Sequence, residues 1–183
     1  MNKLGITRIE ILIIALIIGL LGVMAVVAVS TARSRTRDAI RLSDVRQTQA
    51  GLELYFNDFN MYPARDLDGI PLGTASTFCL SEAGFTSTCV AAVETVYLDV
   101  MPATPGAGLK GLSTCGGERN AYCYLGINGE YRIQFELENN NPLLGLLKGI
   151  NCATETGLEG GGCPALQTPL GELEELIQGE AGA

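Results

Sequence analysis

Residues 11–29 read ILIIALIIGLLGVMAVVAV, an unbroken run of 19 uncharged and almost entirely apolar residues. As an α-helix this run is about 28 Å long, which matches the hydrocarbon core of a bilayer. A secretory signal peptide is the alternative, and Ser30, Thr31 and Ala32 offer small residues for its cleavage. The apolar part of a signal peptide is, however, usually only about 7–15 residues long. The length of the run therefore favours a single membrane-spanning helix.

A carboxylate stands directly before this run, at Glu10. A charge at the head of an apolar helix is costly unless it is paired, protonated or able to reach the interface. Arg8 is two residues away, so it does not share a helix face with Glu10. We therefore expect the partner of Glu10 to be a cation from another chain, and we take Glu10 as a candidate functional residue.

The segment around Glu10 resembles a known processing signal. Residues 1–5 form a short leader containing Lys3, and residues 5–10 read GITRIE. Placed before a long apolar helix, this motif resembles the signal of type IV prepilins and type II secretion pseudopilins, whose common form is GFTLIE. The resemblance implies cleavage between Gly5 and Ile6 by a prepilin peptidase and methylation of the new N-terminus. It also implies that Glu10 pairs with the Ile6 amino group of a neighbouring subunit during assembly.

The chain departs from the family pattern at several positions. Ile6 replaces the usual Phe, Arg8 replaces a Leu, and Val27 lies where family helices often carry a Pro. Four arginines, at positions 33, 35, 37 and 41, follow the apolar run closely. The positive-inside rule alone would place them in the cytoplasm, whereas the resemblance requires the opposite orientation. We follow the motif, because prepilin insertion is followed by extraction into a filament.

Six cysteines lie beyond the apolar run, and an even number there favours disulfides in an oxidising compartment. A zinc site is the rival, but the tight C-x-x-C spacing typical of zinc sites is absent from the sequence. Six cysteines allow 15 pairings, of which we favour three local ones. Each would close a Gly/Ser/Thr-rich loop and contribute about 2–3 kcal/mol. The favoured pairs are Cys79 with Cys89, Cys115 with Cys123, and Cys152 with Cys163.

Charge is divided unevenly along the chain, whose net charge is −8. Residues 1–46 hold seven basic and three acidic residues, a net +4, and residues 47–183 hold five basic and seventeen acidic residues, a net −12. Nucleic-acid binding requires a basic footprint, so we expect no nucleic-acid partner for the acidic part. An acidic surface instead suits a soluble, exposed domain.

Catalysis is disfavoured by what the sequence lacks. The chain has no histidine, the commonest general base and metal ligand at neutral pH. It also carries no nucleophile–base pair, P-loop or dinucleotide fingerprint. We predict that the protein is not an enzyme and that it needs no cofactor and no metal. The segment 66–69 (DLDG) resembles a calcium loop superficially, but it lacks the remaining ligands and the closing Glu of an EF-hand.

The helix is expected to continue from residue 30 to about residue 60 as an amphipathic half. Its apolar stripe is formed by Val45, Leu52, Phe56 and Phe59, with Leu42 and Tyr55 beside them. We expect this stripe to pack under a globular head, and the pair Tyr62-Pro63 to end the helix. The segment 42–63, LSDVRQTQAGLELYFNDFNMYP, also resembles the pseudopilin stalk. The arginines at 33–46 are expected to face elsewhere, either solvent or the acidic groups of neighbouring subunits or lipid headgroups.

The head contains one clear β-hairpin. Residues 121–127 and 130–138 flank Asn128-Gly129, the dipeptide typical of a type I′ turn. Tyr131, Ile133, Phe135 and Leu137 alternate with polar residues, which predicts one face on the helix and one in water. Residues 64–93 are expected to form a loop with a short helix near Ala91, and residues 97–105 resemble the connector of the family into the sheet. A short strand is expected at 143–147.

A short C-terminal helix is predicted from Thr168-Pro169, with an apolar side formed by Leu170, Leu173 and Ile177. It would dock on the head or bind a partner, and residues 179–183 would fray. The fold class we expect is α+β, pilin-like, with a long N-terminal helix packed on a small antiparallel sheet. The expected divisions are a leader (1–5), a transmembrane and assembly helix (6–30), its amphipathic half (31–62) and the head (63–183).

Taken with the resemblance, these features favour a structural subunit, a pilin or pseudopilin, major or minor, of an extracytoplasmic type IV pilus or type II secretion-like filament. The implied partners are other pilins, prepilin peptidase, the inner-membrane platform protein and the assembly ATPase, with membrane lipid before assembly. The precursor would cross the inner membrane once with its head outside, and the assembled form would lie in a cell-surface or periplasmic filament. The alternatives are a single-pass membrane-anchored binding or sensor module and a secreted, disulfide-rich enzyme.

Overall fold

A computed structural model describes residues 8–127 and 129–163. The described chain is α+β: one long N-terminal helix, α1, carries a head built from antiparallel strands. The helix spans Arg8–Phe59 and is 52 residues long. The strands are β1 (Arg65–Pro71), β2 (Cys79–Ser81), β3 (Gly84–Thr86), β4 (Val96–Leu98), β5 (Thr114–Cys115), β6 (Glu118–Arg119), β7 (Cys123–Ile127), β8 (Glu130–Leu137), β9 (Gly149–Thr154) and β10 (Gly157–Gly160).

The second half of α1 packs against the head, as predicted. Its most buried positions recur every three or four residues and so form one face of the helix. Leu42 and Phe56 are half-buried beside this face, while Phe59 is 39% exposed and lies at its edge. The helix is terminated after Phe59 by Asn60, which has a left-handed backbone (φ 53°) and whose N–H donates to the Phe56 carbonyl at 2.7 Å. The buried positions are Asp38, Arg41, Val45, Thr48, Gly51, Leu52 and Tyr55.

The main sheet has the strand order β1-β7-β8-β9-β10, and all of its neighbours are antiparallel. The predicted hairpin is formed by β7 and β8, with Ile127 paired to Glu130. Two residues therefore connect the strands, and Gly129 has the positive φ (85°) that this turn requires. Asn128, its other turn residue, lies outside the described residues.

The inner face of β8 agrees with the predicted alternation. Tyr131, Ile133, Phe135 and Leu137 are each at most 1% exposed. The outer face is not uniformly wet, however, because Glu136 is only 3% exposed. Its carboxylate accepts the backbone N–H groups of Lys110 and Leu112 at 2.8 and 2.9 Å. A connecting segment thus covers the outer side of the strand near its C-terminal end.

The prediction of a loop over residues 64–93 was wrong. This region contributes β1 to the main sheet, and β2 and β3 to a second sheet of order β3-β2-β4. The central strand β2 is completely buried, and Cys79 within it is bonded to Cys89. Neither a long strand nor an alternating pattern marks these pairings in the sequence, since β2 and β3 have three residues each. No helix forms near Ala91, where the chain makes a turn instead.

The prediction of a strand at 143–147 was also wrong. These residues form a tight loop closed by a single bridge between Asn141 and Leu146. The sheet continues instead through β9 and β10, which the sequence analysis missed. The missed strand β9 reads GINCAT and has five buried residues out of six, so it lacks the polar alternation of a half-exposed strand. The predicted C-terminal helix from Thr168 lies outside the described residues.

The core lies between α1 and the main sheet and is rich in aromatic rings. Tyr62 packs edge-on against Tyr131, with ring centroids 4.6 Å apart, and stacks on Phe56 at 4.8 Å. Phe85, from the second sheet, packs on Tyr124 at 4.7 Å. These rings join the end of the helix to both sheets.

Three disulfides close local loops of the head, with the pairing favoured from the sequence. They join residues separated by 8 to 11 positions. Cys115 ties the small β5–β6 hairpin to β7 through Cys123, and Cys152 of β9 is bonded to Cys163, just beyond β10. The pairs are Cys79 with Cys89, Cys115 with Cys123, and Cys152 with Cys163.

Candidate functional site

The apolar segment, residues 11–29, lies on the first half of α1 and projects away from the head. Fifteen large apolar side chains between Ile9 and Val29 are each at least 49% exposed, on all sides of the helix. By length and composition this is one helix able to cross a membrane, a test that a signal sequence near the N-terminus also passes. Fully burying such a side chain is worth about 1.5–3 kcal/mol. A free energy on the order of 20 kcal/mol therefore favours transfer of the half-exposed segment from water to an apolar environment. A bilayer or the same segments of other chains would supply that cover.

Glu10 lies in the first turn of α1 and is exposed. A carboxylate in this position interacts favourably with the helix dipole, which is a structural role that requires no partner chain. Gly5 and Ile6, the predicted cleavage and methylation positions, lie outside the described residues. Of the three predicted processing and assembly residues, Glu10 is the one that lies within the described part of the chain.

A group of four charged residues, which we call the charged clamp, joins α1 to the head. At its centre is Arg41, whose side chain is completely buried. Its Nη1 donates to Asp38 and to Glu138, both at 2.8 Å. Its Nη2 donates to the carbonyls of Pro105 and Ala107 at 2.6 and 2.7 Å. One guanidinium thus holds the helix, the end of β8 and the 105–107 segment together.

The two carboxylates of the charged clamp have further partners. Asp38 accepts the backbone N–H groups of Glu138 and Asn139, both at 2.9 Å. Glu138 accepts two hydrogen bonds from Arg37, at 2.7 and 2.6 Å, in the bidentate geometry typical of strong arginine–carboxylate pairs. Hydrogen bonds from Arg37, together with Arg41, hold the pKa of Glu138 below its ordinary value despite partial burial.

The formal charges of the clamp, Arg37, Arg41, Asp38 and Glu138, cancel. This corrects the expectation that the arginines of 33–46 all face away from the head. Arg37 is half-buried against Glu138 and Arg41 is fully buried, whereas Arg33, Arg35 and Arg46 are exposed. The expectation was wrong because the buried stripe of α1 includes polar positions, which apolar periodicity does not reveal.

Further along α1, polar contacts continue to attach the head. The Tyr122 hydroxyl donates to Asp44 at 2.9 Å, and burial raises the pKa of Asp44 although this hydrogen bond opposes the shift. Gln49 donates to the carbonyl of Thr154 at 2.8 Å. These contacts and the charged clamp fix the register of the helix against β9, the start of β7 and the end of β8.

Neither a group of metal-ligating side chains nor a free thiol occurs in the part of the chain that the structure describes. Within residues 8–127 and 129–163, no group of three or more metal-ligating side chains occurs. Every cysteine in the same described part is in a disulfide. The calcium-like segment DLDG lies in β1, and its aspartate side chains are outside what the structure describes.

The charged clamp was not predicted, although the sequence contains one signal for it. Asp38 and Arg41 continue the three-and-four spacing of Val45, Thr48 and Leu52, so both fall on the buried face of the helix. Charged residues in register with an apolar stripe are buried along with it, and buried charges are normally paired. Comparison with protein-family models, with curated proteins and with solved structures gives no match.

Proposed function

We propose that this chain is a structural subunit of an extracytoplasmic filament of the type IV pilin or type II secretion pseudopilin class. The observation that carries the proposal is the division of α1. Residues 11–29 are apolar and exposed on all sides, while the half beyond residue 33 is fastened into a folded head. Such a chain cannot remain monomeric in water, because its apolar half needs an apolar environment at every stage.

The apolar segment serves in turn as a membrane anchor and as the core of the filament. Before assembly it lies in the bilayer of the inner membrane, with the head outside. During assembly it moves into a bundle of the same segments from neighbouring subunits, so its apolar surface stays covered throughout. Head-to-tail contacts of this kind repeat without closing and generate an open helical filament.

Glu10 supplies the specific contact of this assembly. Prepilin peptidase cleaves after Gly5, Ile6 becomes a methylated N-terminus, and the amino group stays protonated at neutral pH. This cation pairs with Glu10 of the adjacent subunit, and hydrogen bonds to charged groups contribute about 1.5–3 kcal/mol each. Since every subunit makes the contact once, a modest energy per pair sets the register of the whole filament. The platform protein and the assembly ATPase act on the inner-membrane side, and no catalytic role falls to this chain.

Two measurements in the native host test the proposal. Mass spectrometry of the mature protein should find Ile6 as a methylated N-terminus. Retention of Met1 would instead support a membrane-anchored module, and cleavage near Ala32 would support a secreted protein. Both results would contradict the filament proposal.

The second measurement compares filament yield in Glu10→Ala, Glu10→Gln and Val27→Ala variants. We expect normal membrane levels of all three precursors, with filaments strongly reduced in both Glu10 variants and retained in Val27→Ala. The Gln variant keeps the size of the side chain, so it separates charge from shape. Wild-type filaments in both Glu10 variants would remove the proposed contact.

A further inference from the structure

The base of the head is formed by two segments, residues 105–112 and 138–149, which contact α1 between residues 34 and 41. Asn139 donates to Ser34 at 3.1 Å and Arg41 reaches Pro105 and Ala107, which places both segments beside the start of the packed half of α1. β8 runs along the helix from the level of Gln49, next to Tyr131, down to this base. Within the described head, up to residue 163, the base is therefore the part nearest to the apolar segment.

Helix geometry gives the distance between the base of the head and a bilayer that residues 11–29 cross. Ser34 is five residues beyond Val29, or roughly 7.5 Å along the axis at 1.5 Å per residue. The headgroup region on each side of a bilayer is about 5–7 Å thick. When residues 11–29 span the hydrocarbon core, the base of the head lies at the outer edge of the headgroup layer.

The lysines of the head are concentrated at this base. Lys110 and Lys148 are the only lysines among residues 47–183, whose net charge is −12. Both line one groove of about 480 Å³ that also includes Ser34. Neither lysine forms an ion pair with a residue that the structure describes. The two carboxylates in the groove are already engaged, Glu136 by backbone N–H groups and Glu138 by Arg37 and Arg41.

Exposed leucines and one exposed arginine extend the same surface. Leu143 is 95% exposed at the tip of the 138–149 segment and lines a groove with Arg35 and Ala39 of α1. Leu147 and Leu112 are 53% and 50% exposed. Basic residues combined with exposed leucines are the composition of surfaces that bind anionic bilayers.

We propose that the base of the head docks on the anionic phospholipid surface of the membrane before assembly. Lys110 and Lys148 bind lipid phosphates, and Leu143 enters the headgroup layer. This inference rests on the proposed membrane-spanning role of residues 11–29. Docking holds the head at a defined orientation on the bilayer, and it must be released when the subunit enters a filament.

The absence of tryptophan from the chain allows a direct test with single-tryptophan reporters. The full chain is reconstituted, with its disulfides intact, in phosphatidylcholine vesicles with or without phosphatidylglycerol. Leu143→Trp reports on the base. Val93→Trp is the matched control, since Val93 is 84% exposed and precedes β4, which contacts α1 near Gly51. Val27→Trp reports on the apolar segment.

We expect a headgroup-labelled nitroxide lipid to quench Leu143→Trp strongly and Val93→Trp little. Quenching of Leu143→Trp should fall in vesicles without phosphatidylglycerol and in a Lys110→Gln/Lys148→Gln background. At about 1 kcal/mol per basic residue, loss of both lysines lowers the docked-to-undocked ratio roughly 30-fold. Arg46→Gln removes an exposed charge more than one helical turn beyond Arg41, on the side away from the bilayer, and should leave the ratio unchanged.

Equal quenching of Leu143→Trp and Val93→Trp would overturn the docking proposal. A second lipid, with its nitroxide on the acyl chain inside the hydrocarbon core, then distinguishes failure of docking from failure of the membrane-spanning role. If it quenches Val27→Trp while Leu143→Trp is not quenched, the helix spans the bilayer and only docking is wrong. If Val27→Trp is not quenched either, the membrane-spanning role fails as well.

Discussion

Replacing Arg41 by methionine is the sharpest test of how the head is attached to the helix. The Arg41 guanidinium is fully buried and makes four hydrogen bonds, to Asp38, Glu138 and the carbonyls of Pro105 and Ala107. Methionine fills a similar path through the core but donates none of these bonds. Arg41→Met therefore removes the charge that two buried carboxylates share.

The size of the effect follows from these contacts. Removing one partner of a buried ion pair costs about 3–5 kcal/mol. Each of the two carbonyls left without a donor costs about 1–3 kcal/mol. Part of this cost is already included in the cost of breaking the ion pair. Arg37 still pairs with Glu138, and Asp38 keeps its backbone N–H donors, so we expect a loss near about 3–5 kcal/mol. A domain is typically stable by only about 5–15 kcal/mol.

Urea unfolding of the full chain in detergent micelles, with disulfides intact, measures this loss. Near-ultraviolet circular dichroism of the core tyrosines reports on the head, because the apolar segment stays helical in the micelle. Arg35→Met is the matched control, since Arg35 is exposed on the same helix and should change stability by no more than about 0.5 kcal/mol. If Arg41→Met unfolds at the same urea concentration as Arg35→Met, the charged clamp does not contribute to the stability of the head.

Three further outcomes are expected in the same unfolding assay. Because Arg37 holds the pKa of Glu138 below its usual 4.5, the contribution of Glu138 is complete above that value and is lost as the pH falls through the lower folded pKa. Glu138→Gln should therefore show a smaller acid-induced loss than wild type, and equal losses would contradict the assignment. Burial raises the pKa of Tyr131 to about 12, so ionisation of the unfolded state near its ordinary value of 10 destabilises the fold as the pH rises between these values. Tyr131→Phe should be less sensitive over this range, and an unchanged pH profile would show that the phenol is not protected. The double variant Cys115→Ser/Cys123→Ser should lose about 2–3 kcal/mol, and no loss would mean that the β5–β6 hairpin is held by other contacts.

Much of the fold could be predicted because its signals are local. Nineteen consecutive apolar residues, the Asn128-Gly129 dipeptide and the alternation from Tyr131 to Leu137 each indicate one element without reference to the rest of the chain. The main hairpin, the inner face of β8 and the continuation of the helix agree with these signals. The local disulfide pairing follows from the same short-range spacing.

The elements that were missed depend on partners distant in sequence. β1 pairs with β7, more than fifty positions later, and β2 is buried between two strands of three residues each. The charged clamp joins Asp38 to Glu138 across a separation of 100 residues. Periodicity could have placed Asp38 and Arg41 on the buried face of the helix. No window of the sequence contains both sides of the contact, however, so their partner in the head could not be predicted. Glu136 was expected to face water for the same reason, because the segment that covers it is remote.

The unbroken helix has a mechanical consequence. Backbone hydrogen bonds continue from Arg8 to Phe59 without a loop between the apolar half and the packed half, so α1 acts as one rod about 78 Å long. The head is attached to this rod by contacts that extend from Ser34 to Tyr55, and by the chain itself at Asn60, so tension on the head would be spread over the whole packed half. The rod can lengthen only by unwinding, from 1.5 to about 3.3–3.6 Å per residue. We expect unwinding to begin at Gly19 and Gly22, because each is about 1 kcal/mol poorer than alanine in a helix.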